Sequence, residues 1–147
     1  LEIQVKGLDS LLKKLSQLGD DVNEGLKEAL LAGGQVVQKS AKELCPVDTT
    51  YLRESISLNA IDDNTVVVST NVDYAIFVEF GTGPKGDPAV EHTSKQFWRF
   101  KDKDGNWVTS HGQAPQPFMR PALENNTTQI VEAVKNLLSN RLEGLSR

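Results

Sequence analysis

Five places in this chain carry residue types that could do chemistry. The first is a glycine loop, GTGPKG at residues 81–86, directly behind the apolar run YAIFVEF at 74–80. Such a loop can cradle a phosphate with its backbone N–H groups. Here the G-x-x-x-x-G-K-[ST] pattern is missing, and Pro84 removes one of the donors. The dinucleotide reading fails too, because Gly86 follows a proline-broken turn instead of opening a helix. The second place is Glu79, an acid inside that apolar run. A carboxylate there is either turned outward or buried and paired. Arg53 and Arg120, in apolar or turn contexts, are its candidate partners. An ion pair that holds a backbone corner is favoured over an exposed carboxylate, and either over a catalytic acid. The third is the pair His92 and His111, 19 residues apart, with neither H-x3-H nor C-x2-C spacing around them. They read as surface histidines. The fourth, Cys45, has no histidine near it in sequence and reads as a half-buried thiol at a helix end. The fifth, DKDGN at 102–106, opens like a calcium loop but lacks Glu at the twelfth position, so it reads as a turn. No G-x-S-x-G elbow supports a hydrolase. The expectation is no catalytic residue, no cofactor and no metal.

The elements that position these residues follow from periodicity. Leu8, Leu11, Leu12, Leu15 and Leu18 fall at helical spacing until Gly19 interrupts. Val22, Leu26, Leu30, Val37, Ala41 and Leu44 mark a second amphipathic helix of about 24 residues, near 36 Å long. Gly33-Gly34 in its middle weakens it, and close packing against a neighbour is favoured over a flexible joint. Pro46 ends it. VDTTYLRES (47–55) reads as a turn, capped by Asp48 or Thr49, that leads into a short helix. The period then changes to two: SISLNA (55–60) and TVVVST (65–70) predict a hairpin around Asp62-Asp63-Asn64, its register open. YAIFVEF is a strand or a short helix.

Residues 81–117 form a long Gly/Pro-rich excursion with a second hairpin signal. Asp104-Gly105 suits a two-residue turn. That register pairs Lys103 with Asn106, Phe100 with Thr109 and Trp98 with His111, so Trp98, Phe100 and Trp107 share one face. Both tryptophans of the protein sit here. An isolated hairpin is marginal in water, so its aromatic face is expected to rest on the domain body or on a neighbouring subunit. A last helix is expected from Pro121 to about residue 143, striped by Leu123, Ile130, Val131, Val134, Leu137, Leu138 and Leu142. The fold class is α+β: a small, mostly antiparallel sheet packed by long N- and C-terminal helices, with a projecting hairpin.

Composition bounds the rest. The 147 residues suit one domain. The net charge of −4 and a pI near 5.2 draw no nucleic acid by a global field. The basic aromatic stretch 97–103 could still stack single strands, and a small nucleic-acid-binding module using the hairpin 97–107 is the alternative function. A single cysteine forms no internal disulfide. No apolar run spans a membrane, no signal peptide opens the chain, and the start at Leu1 suggests trimming. A cytoplasm, or a particle assembled in one, is expected.

Three stretches in order, CPVDTTYLRESI (45–56), DYAIFVEFGTG (73–83) and GQAPQPFMRPALE (112–124), resemble the gene-ten-like family of minor tail or head–tail joining proteins of long-tailed bacteriophages and prophages. The match covers about 40–124, and the flanking helices extend it to most of the chain. Thr50 stands where that family usually has glycine. The resemblance implies a non-enzymatic virion part at the neck or head-proximal tail end, assembled in the bacterial cytoplasm. It implies an oligomeric ring, a hexamer being one form, among other neck or tail proteins, with DNA passing but not specifically bound and no membrane. In this reading Glu79, Gly81, Thr82, Gly83, Arg53 and Arg120 build a structural corner, and Trp98, Phe100 and Trp107 are candidate subunit contacts.

Overall fold

The computed structural model describes residues 1–4, 20–46 and 50–145. The leucine-spaced segment 8–18 and the expected cap at Asp48 or Thr49 lie outside those residues. The chain forms two compact units, Leu1–Asn71 with Phe118–Arg147, and Val72–Pro117. The class is α+β, with two small antiparallel sheets.

The larger unit contains β1 (Glu2–Gln4), α1 (Asp20–Leu44), α2 (Thr50–Ser55), β2 (Ser57–Asp62) and β3 (Thr65–Ser69). Its C-terminal part adds two further helices. Its three-stranded sheet has the order β1-β3-β2, antiparallel throughout. β3 is therefore central, which explains its sequence: Val66, Val67 and Val68 are all buried, as a strand covered on both faces requires. The expected hairpin forms with Ser57 opposite Ser69 and Asn59 opposite Val67. A register shift between Ala60 and Asp62 leaves Ile61 exposed, and Asp62 Oδ1 accepts the Asn64 N–H at 2.7 Å in the turn.

α1 runs unbroken through Gly33-Gly34. Leu26, Leu30, Val37 and Ala41 are buried, as the stripe predicts, whereas Leu44 at the last turn is exposed. The two glycines serve close packing on two sides. A Cβ at Gly33 would lie 2.9 Å from Val134 Cγ2, and one at Gly34 would lie 2.5 Å from Leu58 Cδ1. The core around them joins Leu26, Ala29, Leu30, Val66, Val134 and Leu138. Next to it, Gln38 Nε2 donates to the Ile56 carbonyl at 3.0 Å, and Ser55 Oγ meets Thr70 Oγ1 at 2.6 Å, tying α1 and α2 to the sheet ends.

The C-terminal helix differs from expectation: it is two helices. In chain order after the smaller unit, one spans Met119–Glu124 and the other Thr127–Leu145. Asn126 causes the break. Its Nδ2 donates to the Ala122 carbonyl and to Ser40 Oγ, both at 2.9 Å, so the side chain takes a place that the regular ladder would otherwise use. Ile130, Val134 and Leu138 of the long helix are buried against α1, and Arg141 reaches Glu28 at 2.6 Å across the exposed rim.

Overpacking a tight helix contact costs about 1–3 kcal/mol, more than the about 0.8–1 kcal/mol of helix propensity that alanine gains over glycine. Gly34→Ala should therefore lower the melting temperature. Gly25→Ala meets only the Arg141 side chain, no nearer than 3.5 Å, and should hold or raise it. Thermal unfolding by circular dichroism checks the opposite signs; a rise for Gly34→Ala would remove the close-packing account.

Candidate functional site

The smaller unit begins with α3 (Ala75–Phe80), which settles YAIFVEF as a helix. Its pattern is one-sided: Ala75, Val78 and Glu79 are buried, and Ile76 and Phe77 are exposed. Glu79 has 0% exposure and is not without a partner, so the outward-facing reading does not hold. Gly81 ends the helix at φ +72°, its N–H donating to the Phe77 carbonyl at 2.9 Å. A Cβ there would lie 2.5 Å from the Gln113 carbonyl oxygen. Glycine is required for both reasons.

The corner is clasped by the returning chain. Thr82 N–H donates to the Gln113 carbonyl at 2.8 Å, and Gln113 N–H returns to the Thr82 carbonyl at 3.1 Å and to Thr82 Oγ1 at 3.0 Å. Gln116 N–H donates to the Val78 carbonyl, and Asp87 N–H to the Phe80 carbonyl. A short 3-10 turn, Gly83–Lys85, follows. The N–H groups of Gly81, Thr82 and Gly86 in the glycine loop are thus spent on turns and on this clasp, and Pro84 has none. They form no anion cradle.

Beyond it, β4 (Trp98–Lys101) pairs with β5 (Trp107–Ser110). The register differs from the expected one by one residue: Trp98 faces Ser110, Phe100 faces Val108 and Lys101 faces Trp107. Asp102 is the cause. Its carboxylate accepts the Asp104 and Asn106 N–H groups at 2.9 and 2.8 Å, and its carbonyl accepts the N–H of positive-φ Gly105. That makes the loop three residues long instead of two. A one-residue slip exchanges faces. Trp98 and Phe100 share one face, and Trp107 moves to the other, beside Arg99 (5.6 Å from the ring centroid) and Lys101 (5.3 Å). The ring of Trp98 lies against Gly83, whereas Trp107 is 62% exposed and Phe100 is also exposed.

α3 and the segment 87–93 enclose an open cavity of about 210 Å³, lined by Ile76, Phe77, Phe80, Val90 and His92 with Asp87 and Glu91. His92 Nδ1 lies 2.6 Å from the Val90 carbonyl, and His111 stands beside Phe97, their ring centroids 6.1 Å apart. Both histidines are exposed. Among the described residues no three His, Cys, Asp or Glu side chains gather as a metal site, and no helix is long and apolar enough to cross a membrane.

The remaining predicted residues belong to the larger unit. Arg53 Nη2 donates to the Cys45 carbonyl at 3.2 Å, and its buried Nε has no hydrogen-bond partner among the described residues. Cys45 is buried rather than half-buried. Arg120 is half-buried on the short helix Met119–Glu124, between the buried Met119 and Ala122. Sequence reasoning missed the cavity and the clasp residues Gly112 and Gln113. The cavity had no signal, because a short apolar run does not say which of its side chains stay outside.

The family model described as "Bacteriophage HK97-gp10, putative tail-component" matches residues 9–81. Over those 73 of its 147 residues the chain is similar to the HK97-gp10-like family. The match takes in the CPVDTTYLRESI box and ends at Gly81, where α3 hands over to the clasped segment; the GQAPQPFMRPALE box lies beyond it. No curated protein and no solved structure matches the chain.

Gly112 sits at φ +85°, and a Cβ on it would strike the Thr82 carbonyl oxygen. Gly112→Ala should cost about 1–3 kcal/mol of local backbone strain. Hydrogen exchange at the Thr82 and Gln113 amides should accelerate in that variant. Unchanged protection at both would mean that the clasp does not depend on this glycine.

Proposed function

We propose that this protein is a structural part of a bacteriophage virion that completes the tail at its head-proximal end or joins it to the head, and that it works as an oligomeric ring. The match of residues 9–81 to a tail-component family supports the virion role. The observation that carries the assembly role is the exposed Trp107, with Phe100 on the opposite face of the same hairpin. Large aromatics left uncovered on one element mark an interaction surface. Rings arise when a head-to-tail contact closes on itself. The partners in this reading are further copies of the chain, a hexamer being one closed form, and adjoining neck or tail proteins. Assembly takes place in the host cytoplasm. The net charge of −4 suits a ring through which DNA must slide without sticking.

Silencing the gene in its phage should leave heads and tails unjoined in electron micrographs, and light scattering of the purified protein with negative-stain images should show closed rings. Complete particles in normal number without the protein would refute the role. A second reading keeps one observation in its favour: Trp107 stands exposed between two cations, as a base-stacking platform would. Tight, salt-dependent oligonucleotide binding by a monomer would shift the choice to it.

The corner at Glu79, Gly81, Thr82 and Gly83 has a structural role in this reading. Removing the buried Glu79 carboxylate strands whatever it engages, at a cost of about 1–3 kcal/mol or more. Glu79→Ala should lower the melting temperature or prevent assembly. A variant that melts and assembles like the wild type would remove Glu79 from the corner's support.

A further inference from the structure

Building on the ring reading above, we infer that the hairpin of one copy seats Trp107 in the cavity between α3 and segment 87–93 of the next copy. The two surfaces match in size. A dry cavity of about 150 Å³ accepts benzene, so one of about 210 Å³ accepts the larger indole ring. They match in polarity as well. The cavity is walled by Ile76, Phe77, Phe80 and Val90, and its own chain leaves Phe77 53% and Ile76 45% exposed. Trp107, the more exposed of the two tryptophans on the hairpin, is likewise uncovered.

Charge selects the occupant. Trp107 is flanked by Arg99 and Lys101, both within 6 Å of its ring, whereas the cavity carries Asp87 and Glu91. Asp87 Oδ1 accepts the Ala89 N–H at 3.0 Å, which fixes that carboxylate in place. Seating the indole brings two cations to two carboxylates, so the contact gains orientation as well as area. The observed hairpin register is what makes this possible, because it puts Trp107 on the face of Arg99 and Lys101. Knob and hole lie on different surfaces of one chain. Contacts of this kind run head to tail and leave a bound pair with one knob and one hole still to offer.

The test uses the purified full chain in low salt, with sedimentation velocity as readout and the melting temperature as a check on folding. Trp107→Ala should weaken self-association by about thirtyfold or more, the loss expected for an aromatic anchor. Ile76→Asp, which places a charge in the hole, should do the same. Mixed together, these two variants should form a one-to-one pair that grows no further, because only one intact knob and one intact hole remain. Glu91→Lys should weaken association, and adding Lys101→Glu to it should restore part of the loss. Association of Trp107→Ala at wild-type strength, a mixture that stays monomeric, or a failed charge rescue would overturn this contact and leave ring assembly standing. A wild-type chain that never self-associates would overturn both.

Discussion

The larger unit is organised by the absence of two side chains. Gly33 and Gly34 are about 100° apart around α1, so the two bare positions open in different directions. One admits Val134 and Ile130 of the C-terminal helix, the other Leu58 and Val66 of the hairpin. The intrinsic cost is about 0.8–1 kcal/mol for each glycine in a helix interior. It is offset by contact: Leu26 and Leu30 on the same helix bury fully only if both neighbours come this close. A helix that looks weakened at its centre is therefore the one on which two layers register.

The smaller unit is held differently. Few of its side chains are buried, and its described order comes largely from main-chain hydrogen bonds: helix end to turn, Thr82 to Gln113, Val78 to Gln116. Main-chain pairing fixes where the segment enters and leaves without demanding particular side chains in between. The side chains are then free for other work. Trp98 rests on Gly83, while Phe100, Trp107, Ile76 and Phe77 remain at the surface. Apolar residues that do not stabilise the fold locally are the ones available to a partner.

What the sequence made legible was whatever depends on repeated pattern. The stripe from Leu26 to Ala41 located α1, and the change of period after Ser55 located the hairpin of β2 and β3. What stayed hidden depends on single side chains that compete with the backbone. Asp102 converts a two-residue turn into a three-residue one and moves Trp107 to the opposite face. Asn126 splits one expected helix into two. β1, three residues long, pairs with a strand more than sixty positions away, and no local pattern announces such a partner. The run YAIFVEF was open between strand and helix because six or seven apolar residues satisfy either period. Of the corner, the glycine loop and the acid inside an apolar run marked Gly81 and Glu79, but Gln113, which closes it, stood only within the stretch GQAPQPFMRPALE, with no local pattern to give it this role.

The closure between Thr82 and Gln113 makes the residues inside it a cassette. Both ends are joined by main-chain bonds, so the chain enters and leaves at one fixed gate whatever lies between. Lengthening a closed loop is inexpensive, about 0.6 kcal/mol for each doubling. Hairpins of other lengths and other tip sequences could be exchanged at this gate while the helical unit keeps its core. A protein that must suit different neighbours could then change its grip by swapping about thirty residues, without redesigning the domain that carries them.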